Sequence, residues 1–372
     1  MARPQLPFRT DHPKLMQARE RLADVVYPGG LQSYFRLYQQ GRRADGGVAE
    51  PGADLELAAV AQRTAAASSV LTLDGPLVRD LTGRITDEQR AELLERLTPD
   101  QRGLWDSAAG TPYQPILAVT FGLFHDVPGI AEATGLHKAM PPADVHAMAH
   151  VAQATGGDLG YADAVDQLLT KAGVPIGDGT RVLDFGCSSG RVARVLAAYH
   201  PGATFHGCDP NGPAIAWAQE HLPEVSFFQS PQRPPVDLPD GSLDAAYAIS
   251  IWSHFNAEPG LLWLAEMARL IRSGGAIVFS THGFQSIATR AARGESWSGA
   301  LVQAADDMYT SGFSFFNPFG EDGDWGVVDA DWGMAFLTPE WLMPRIQDEW
   351  FVDAFHPAAL EGDQDLWVLR RR

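Results

Sequence analysis

The chain has 372 residues, 45% of them hydrophobic and 10% aromatic, with a formal net charge of −18. This composition fits a folded, core-forming protein and excludes a disordered one, while the acidic excess opposes recognition of a phosphate backbone, so no nucleic-acid partner is expected. Two cysteines, Cys187 and Cys208, make neither a disulfide framework nor a zinc site; with no stretch of membrane-spanning length and no apolar signal core at Met1–Pro7, no membrane partner is expected and the cytoplasm is the expected location.

In chain order, residues 1–155 read as a helical domain. Pro13 suits a first helical turn, a second helix runs from about Gly30 to Gly41, Gly46–Gly52 is a loop, and the Ala- and Leu-rich stretch from Asp54 to Ala67 favours helix. Thr86-Asp87-Glu88-Gln89 and Thr98-Pro99-Asp100-Gln101 each match a capping box, the pattern that satisfies free N–H groups at a helix start. The apolar run Ile116–Phe124 is a core element, and Pro141–Asp144 opens a further helix ending near Gly156-Gly157. His146 and His150 lie one turn apart, a spacing that can hold metal, but no Glu or Cys partner accompanies them and no metal site is assigned. This half carries no motif of chemistry. It is expected to cover substrate, to form a homodimer face, or both.

Residues 156–372 read as an α/β domain. A helix over Tyr161–Ala172 leads into Val182–Phe185, a short buried strand. Gly186-Cys187-Ser188-Ser189-Gly190 then makes a tight turn whose backbone a ligand can approach closely. Ser188 or Ser189 is placed to cap a helix opening at Arg191, and free N–H groups at a helix start attract polar or anionic atoms. Thr204–Asp209 is a second strand with an acid at its tip, nineteen residues after Gly190, where nucleotide-binding folds put a carboxylate on ribose hydroxyls. Gly212–His221 is a helix and Val225–Phe228 a third strand. Pro231–Pro239 holds four prolines and is irregular. An aromatic-rich insertion spans about 283–337, expected as a lid or substrate wall. Thr338 caps a last helix with Pro339 in its first turn. Trp350–Phe355 and Asp365–Leu369 form a final strand pair around Gly362.

The turn Asp184-Phe185-Gly186-Cys187-Ser188-Ser189-Gly190, with Leu243–Ser250, Ile251–Phe255 and Arg269–Ser280 in order behind it, resembles class I S-adenosylmethionine-dependent methyltransferases. Ser188 stands where that family usually has a second glycine. In this resemblance Leu243–Ser250 is the fourth strand, and Arg269–Ser280 gives a helix end, a Gly274-Gly275 turn and the fifth strand. The resemblance implies a Rossmann-like, mostly parallel sheet of seven strands with helices on both faces, S-adenosyl-L-methionine as cofactor, and a small-molecule methyl acceptor of specialised metabolism, methylated on O, S or N. It implies that Asp184 holds the cofactor's amino end and that Gly186, Cys187, Ser188 and Gly190 give backbone contacts. Asp209 would accept the ribose hydroxyls, Pro210 and Asn211 would wall the adenine, and Gln229, Ser230 and Ser250 would complete the cofactor site, with Tyr161 a further contact. A turn-capping carboxylate is the alternative for Asp184. His254 and His282 follow the fourth and fifth strands and are the candidates for a catalytic base, since histidine titrates near neutral pH. Competing functions are a protein or RNA methyltransferase and a non-catalytic cofactor-binding module.

Overall fold

A computed structural model of the chain describes residues 75–143, 145, 152–292, 298–320, 323, 324 and 327–372. The helices expected before residue 75, and His146 and His150, lie outside them.

The described chain begins with α1 (Pro76–Gly83), α2 (Asp87–Arg96), α3 (Pro99–Ser107), α4 (Tyr113–Phe124) and α5 (Ile130–Thr134). Both capping boxes form: Thr86 and Thr98 accept from the backbone N–H of Gln89 and Gln101, whose side chains reach back to the cap N–H. Helix α1 has no such residue of its own. Its first turn is closed by Asp163 of α6 (Leu159–Lys171), whose Oδ1 accepts from Leu77 N at 2.9 Å. Ala152–Ala154 is a single 3₁₀ turn.

Seven strands form the main sheet: β1 (Arg181–Phe185), β2 (Thr204–Asp209), β3 (Val225–Gln229), β4 (Leu243–Ala248), β5 (Ile271–Thr281), β8 (Trp350–Leu360) and β9 (Gln364–Arg371). Their order is β3-β2-β1-β4-β5-β9-β8, parallel from β3 to β5 and antiparallel beyond. Strand order reverses between β1 and β4, which opens a crevice at the carboxyl ends of those strands, the usual ligand position in such sheets. The helices α7 (Ala193–Tyr199), α8 (Gly212–His221), α9 (Ala257–Leu270) and α12 (Pro339–Ile346) flank it.

Alternation along the strands divides the core in two. Val182, Ala245, Tyr247, Ala276, Val278, Leu366 and Val368 pack with α6, α7 and the helices of residues 76–134. Leu183, Phe185, Ala246, Ala248, Ile277, Phe279, Trp367 and Leu369 pack with α9 and α12. The described N-terminal helices therefore share a core with the sheet.

The Gly-Gly turn departs from expectation. It lies inside β5 as a bulge: Leu243 pairs with Ile271, but Ala245 pairs with Ala276. Gly274 takes φ +78°, and a Cβ on Gly275 would stand 2.5 Å from Asp244 O, so the sequence needs glycine there to return to register. The insertion is also more ordered in pattern than its composition suggests. It contains α10 (Phe284–Ala292), α11 (Ser298–Ser311) and the two-stranded ladder of β6 (Phe313–Phe316) and β7 (Met334–Leu337), around a small core including Phe284, Leu301, Met308 and Phe336.

Candidate active site

A cleft of about 460 Å³ opens over the ends of β1, β2 and β4, within the range of small-ligand sites. Its floor is the turn after β1. Gly186 takes φ +78°, and a Cβ there would lie 2.1 Å from Ile251 Cδ1. The N–H groups of Gly186 and Cys187 both donate to Cys208 O, at 2.8 and 3.1 Å, which fastens the turn to β2. Ser188 takes φ +48°, a conformation glycine would adopt without strain. Its N–H donates to Asp209 Oδ2 at 2.8 Å, and that bond holds the residue there.

Two expectations about this loop change. Neither Ser188 nor Ser189 caps the following helix, which begins at Ala193 without a side-chain cap. Gly190 is not part of the cleft wall. A Cβ on it would meet the Phe227 ring at 2.7 Å and Leu222 at 2.9 Å, so its glycine serves the packing of the turn on β3 and the segment before it.

Asp209 stands at the tip of β2 on the cleft wall. One oxygen accepts from Ser188 N and the other from Asn211 N, each at 2.8 Å, so the carboxylate is fixed with lone pairs left on both oxygens. Burial raises its pKa, and these two N–H groups oppose the rise. Asn211 accepts from Ala214 N and caps α8, while Pro210, Asn211 and Ser230 line the cleft. Gln229 does not. Its Nε2 donates to Pro210 O at 2.9 Å and braces the loop from outside. Ser250 lines the cleft at φ +61° and is held by a network absent from the sequence reading. Its N–H donates to Ser280 Oγ, its Oγ accepts from Gln364 Nε2, and Ser280 Oγ donates to Gln364 Oε1. Gln364 comes from β9, far along the chain, and no local pattern marks it.

Asp184 is 5% exposed and pairs across the sheet with Tyr247 on the same face. Burial pushes its pKa up to about 7, Asp209 adds to the rise, and the Tyr247 hydroxyl, the Ala193 N–H and Arg191 oppose it. Arg191 and Tyr161 close this end of the cleft, the guanidinium 5.9 Å from the ring centroid. Burial also raises the Tyr161 phenol.

The opposite end is built largely by the insertion: Arg290, Phe319, Asp324, Val327, Trp332 and Met334. His254 lies on this wall, stacked on Trp332 with centroids 4.8 Å apart. His254 Nδ1 donates to Gly333 O at 2.8 Å, which leaves Nε2 with the lone pair. Burial lowers its pKa to about 4; the Gly333 bond opposes that and Arg290 adds to it. His282 stands behind the wall, 6.2 Å from His254 between ring centroids, with its Nε2 2.9 Å from Arg290 Nη2. The two histidines are brought together, but only His254 faces the cleft. The sequence reading missed Arg290, a single basic residue on a helix with no motif around it. Among the described residues no cluster of three His, Cys, Asp or Glu is placed to hold a metal ion, and no helix is long and apolar enough to cross a membrane.

Residues 182–275 match a family model described as a methyltransferase domain. The chain is 31% identical over 106 residues to a trans-aconitate 2-methyltransferase of Methylobacterium nodulans, covering 28% of this chain and 40% of that one. It is 39% identical over 56 residues to the enzyme of the same name from Delftia acidovorans, covering 15% and 21%. The chain thus spans less than half the length of these curated relatives. Among solved structures, a SAM-dependent methyltransferase from Methanosarcina mazei aligns over 52% of this chain and 93% of its own, at 16% identity and a TM-score of 0.38. Residues 182–275 are thus similar to a methyltransferase domain, and the strand order and the turn that joins Gly186 to Asp209 through Ser188 are those that the resemblance to class I S-adenosylmethionine-dependent methyltransferases implies.

Proposed function

We propose that the protein transfers a methyl group from S-adenosylmethionine to a small organic acceptor. The observation that carries this reading is Asp209: a carboxylate at the tip of β2, fixed by two backbone N–H groups and presented to the cleft. Such a group can accept both hydroxyls of a ribose at once. Gly186 lines the cleft without a side chain, and its φ of +78° and its contact with Ile251 keep it glycine, so its backbone is open to the same ligand. Asp184 and Arg191 suit the ammonium and carboxylate of an amino acid, and Asn211 and Ser230, which follow β2 and β3, suit a base.

When bound, the cofactor supplies an activated methyl group. The chain's own task is to align the acceptor with it and to keep water out. Phe319, Trp332 and Met334 supply an apolar wall for that purpose. The cleft of about 460 Å³, the net charge of −18 and relatives named for trans-aconitate all support a small acceptor over a nucleic acid.

Asp209→Ala removes the paired acceptors and should weaken S-adenosylhomocysteine binding about 10- to 100-fold by calorimetry. Unchanged affinity in a folded variant would falsify the assignment.

A further inference from the structure

The hairpin of β8 and β9 does more than extend the sheet. Strand β9 runs antiparallel to β5 with Asp365 opposite Thr281, so the β8–β9 turn lies at the carboxyl ends of the parallel strands, the side on which the cleft opens. Gln364, the first residue of β9, reaches a cleft residue 114 positions away: its Nε2 donates to Ser250 Oγ at 2.8 Å. Its Oε1 accepts from Ser280 Oγ, which in turn accepts from Ser250 N, each at 2.7 Å. The turn that carries Gln364 is tied down on both sides. Asp365 Oδ1 accepts from Ala358 N at 2.8 Å, and Ser286 Oγ of α10 donates to Asp363 O at 2.9 Å.

This ring of bonds fixes what Ser250 can offer. An amide nitrogen only donates and an amide oxygen only accepts. Ser280, fully buried and outside the cleft lining, therefore spends its hydroxyl proton on Gln364. Ser250 gives up one lone pair to Gln364 and keeps its proton, on the one hydroxyl of the ring that lines the cleft. Ser250 also sits at φ +61°, where a residue with a Cβ is strained, and no glycine stands near it in sequence. Its N–H and its Oγ are both held by the ring, which offsets that strain. The strand order says which part of a ligand meets it. Ser230 follows β3, Asp209 ends β2, and Ser250 follows β4 on the far side of β1. A ligand with its base by β3 and its ribose on Asp209 carries its amino-acid part towards β1 and β4. Of the two charged groups there, the carboxylate accepts a hydrogen bond and the ammonium does not.

We propose that Gln364 is a positioning residue, which holds Ser250 in its left-handed conformation so that the Ser250 hydroxyl donates to the carboxylate of S-adenosylmethionine. This rests on the methyl-transfer reading above. Ser250 touches the cofactor; Gln364 acts through it, from a strand that adds no other side chain to the cleft lining.

The test is calorimetry on the full chain with S-adenosylhomocysteine and with its decarboxylated analogue, which keeps the base, ribose, sulfur and amine. Gln364→Met has similar length but neither donor nor acceptor. It should weaken S-adenosylhomocysteine about 5- to 50-fold and change the analogue less than about threefold. Ser280→Ala breaks the ring at its other corner and leaves the hairpin intact; it should show the same selectivity, and it carries the test if Gln364→Met does not fold. In a Ser250→Gly background, Gln364→Met should cost S-adenosylhomocysteine less than about twofold, because glycine reaches that φ unaided and has no hydroxyl to orient. A residue that merely stapled the hairpin would weaken both ligands alike and would do so in either background. Equal losses for the two ligands, an undiminished loss in the Ser250→Gly background, or S-adenosylhomocysteine affinity indifferent to both ring variants would each overturn the proposal. A parent chain that fails to bind S-adenosylhomocysteine would overturn the methyl-transfer reading beneath it, whereas a parent that binds it with no dependence on the ring confines the failure to this proposal.

Discussion

Asp184 is a carboxyl group poised to titrate in the working range of the cleft. Its pKa is pushed up to about 7 chiefly by burial, so near pH 6 most of the ligand-free protein carries it protonated. An ammonium group placed beside it favours the ionised form, so binding drives off a proton. S-adenosylhomocysteine affinity should therefore rise about tenfold from pH 6 to pH 8, one decade for one decade of ionisation. Asp184→Asn should bind more weakly at pH 8 and show a flat profile. A parent profile that is flat over the same range would remove the amino-end role from Asp184. The same residue illustrates what a motif reveals. Its place two residues before Gly186 is readable from sequence, whereas its burial against Tyr247 comes from a strand sixty residues further on.

At the scale of elements, the insertion divides into unlike parts. Residues 331–337 are tied to the sheet's rim by backbone bonds: Asn256 N to Asp331 O, Gly333 N to His254 O, Ala335 N to Ser253 O and Leu337 N to His282 O, all 2.8–3.0 Å. That segment is a wall, and a lid role narrows to the part before it. In hydrogen exchange, the amides of Gly333, Ala335 and Leu337 should be protected without ligand and change little when S-adenosylhomocysteine is added. Strong slowing of those amides on binding would make the whole insertion a closing element. The strands and helices from 159 to 270 were legible because their signals are local: caps, glycines and short apolar runs. The insertion's helices and ladder were not, since aromatic density carries no period. Gly190 and Gln229 were assigned to the ligand because the motif gives spacing but not the side of the turn each residue faces. Arg290 and Gln364 reach the cleft only through the tertiary path of the chain.

Over the whole molecule, the sheet stands between two cores, and buried carboxyls sit where those cores meet the cleft and the β8–β9 turn. Asp184 and Asp365 are both raised to about 7, mainly by burial. The unfolded chain holds these protons only below about pH 4. The folded state thus binds more protons between about 4 and 7, and the stability tied to them is lost as pH rises through 7. Asp244, Glu266 and Asp331 are lowered instead, by arginine and other hydrogen-bond partners, and their contribution fades as pH falls below about 4. The buried histidines His254 and His282, lowered by burial, act in the opposite sense and add stability as pH rises towards about 6.5, so the parent's own profile carries both contributions. Asp365→Asn, isosteric and uncharged, isolates the carboxyl: its Tm relative to the parent should rise from about pH 5 to pH 8, and a difference that stays constant or falls across that interval would contradict the assignment. The order of the sheet has one more consequence, for synthesis. Strand β9 lies between β5 and β8, so one edge of β5 must wait for residues 282–363 to leave the ribosome before its pairing strand exists. Through that interval a nascent chain presents the apolar run Ala276–Phe279 beside a row of open backbone donors and acceptors, the surface on which stray strands add. The long insertion that shapes the cleft therefore lengthens the time during which the unfinished protein needs shelter.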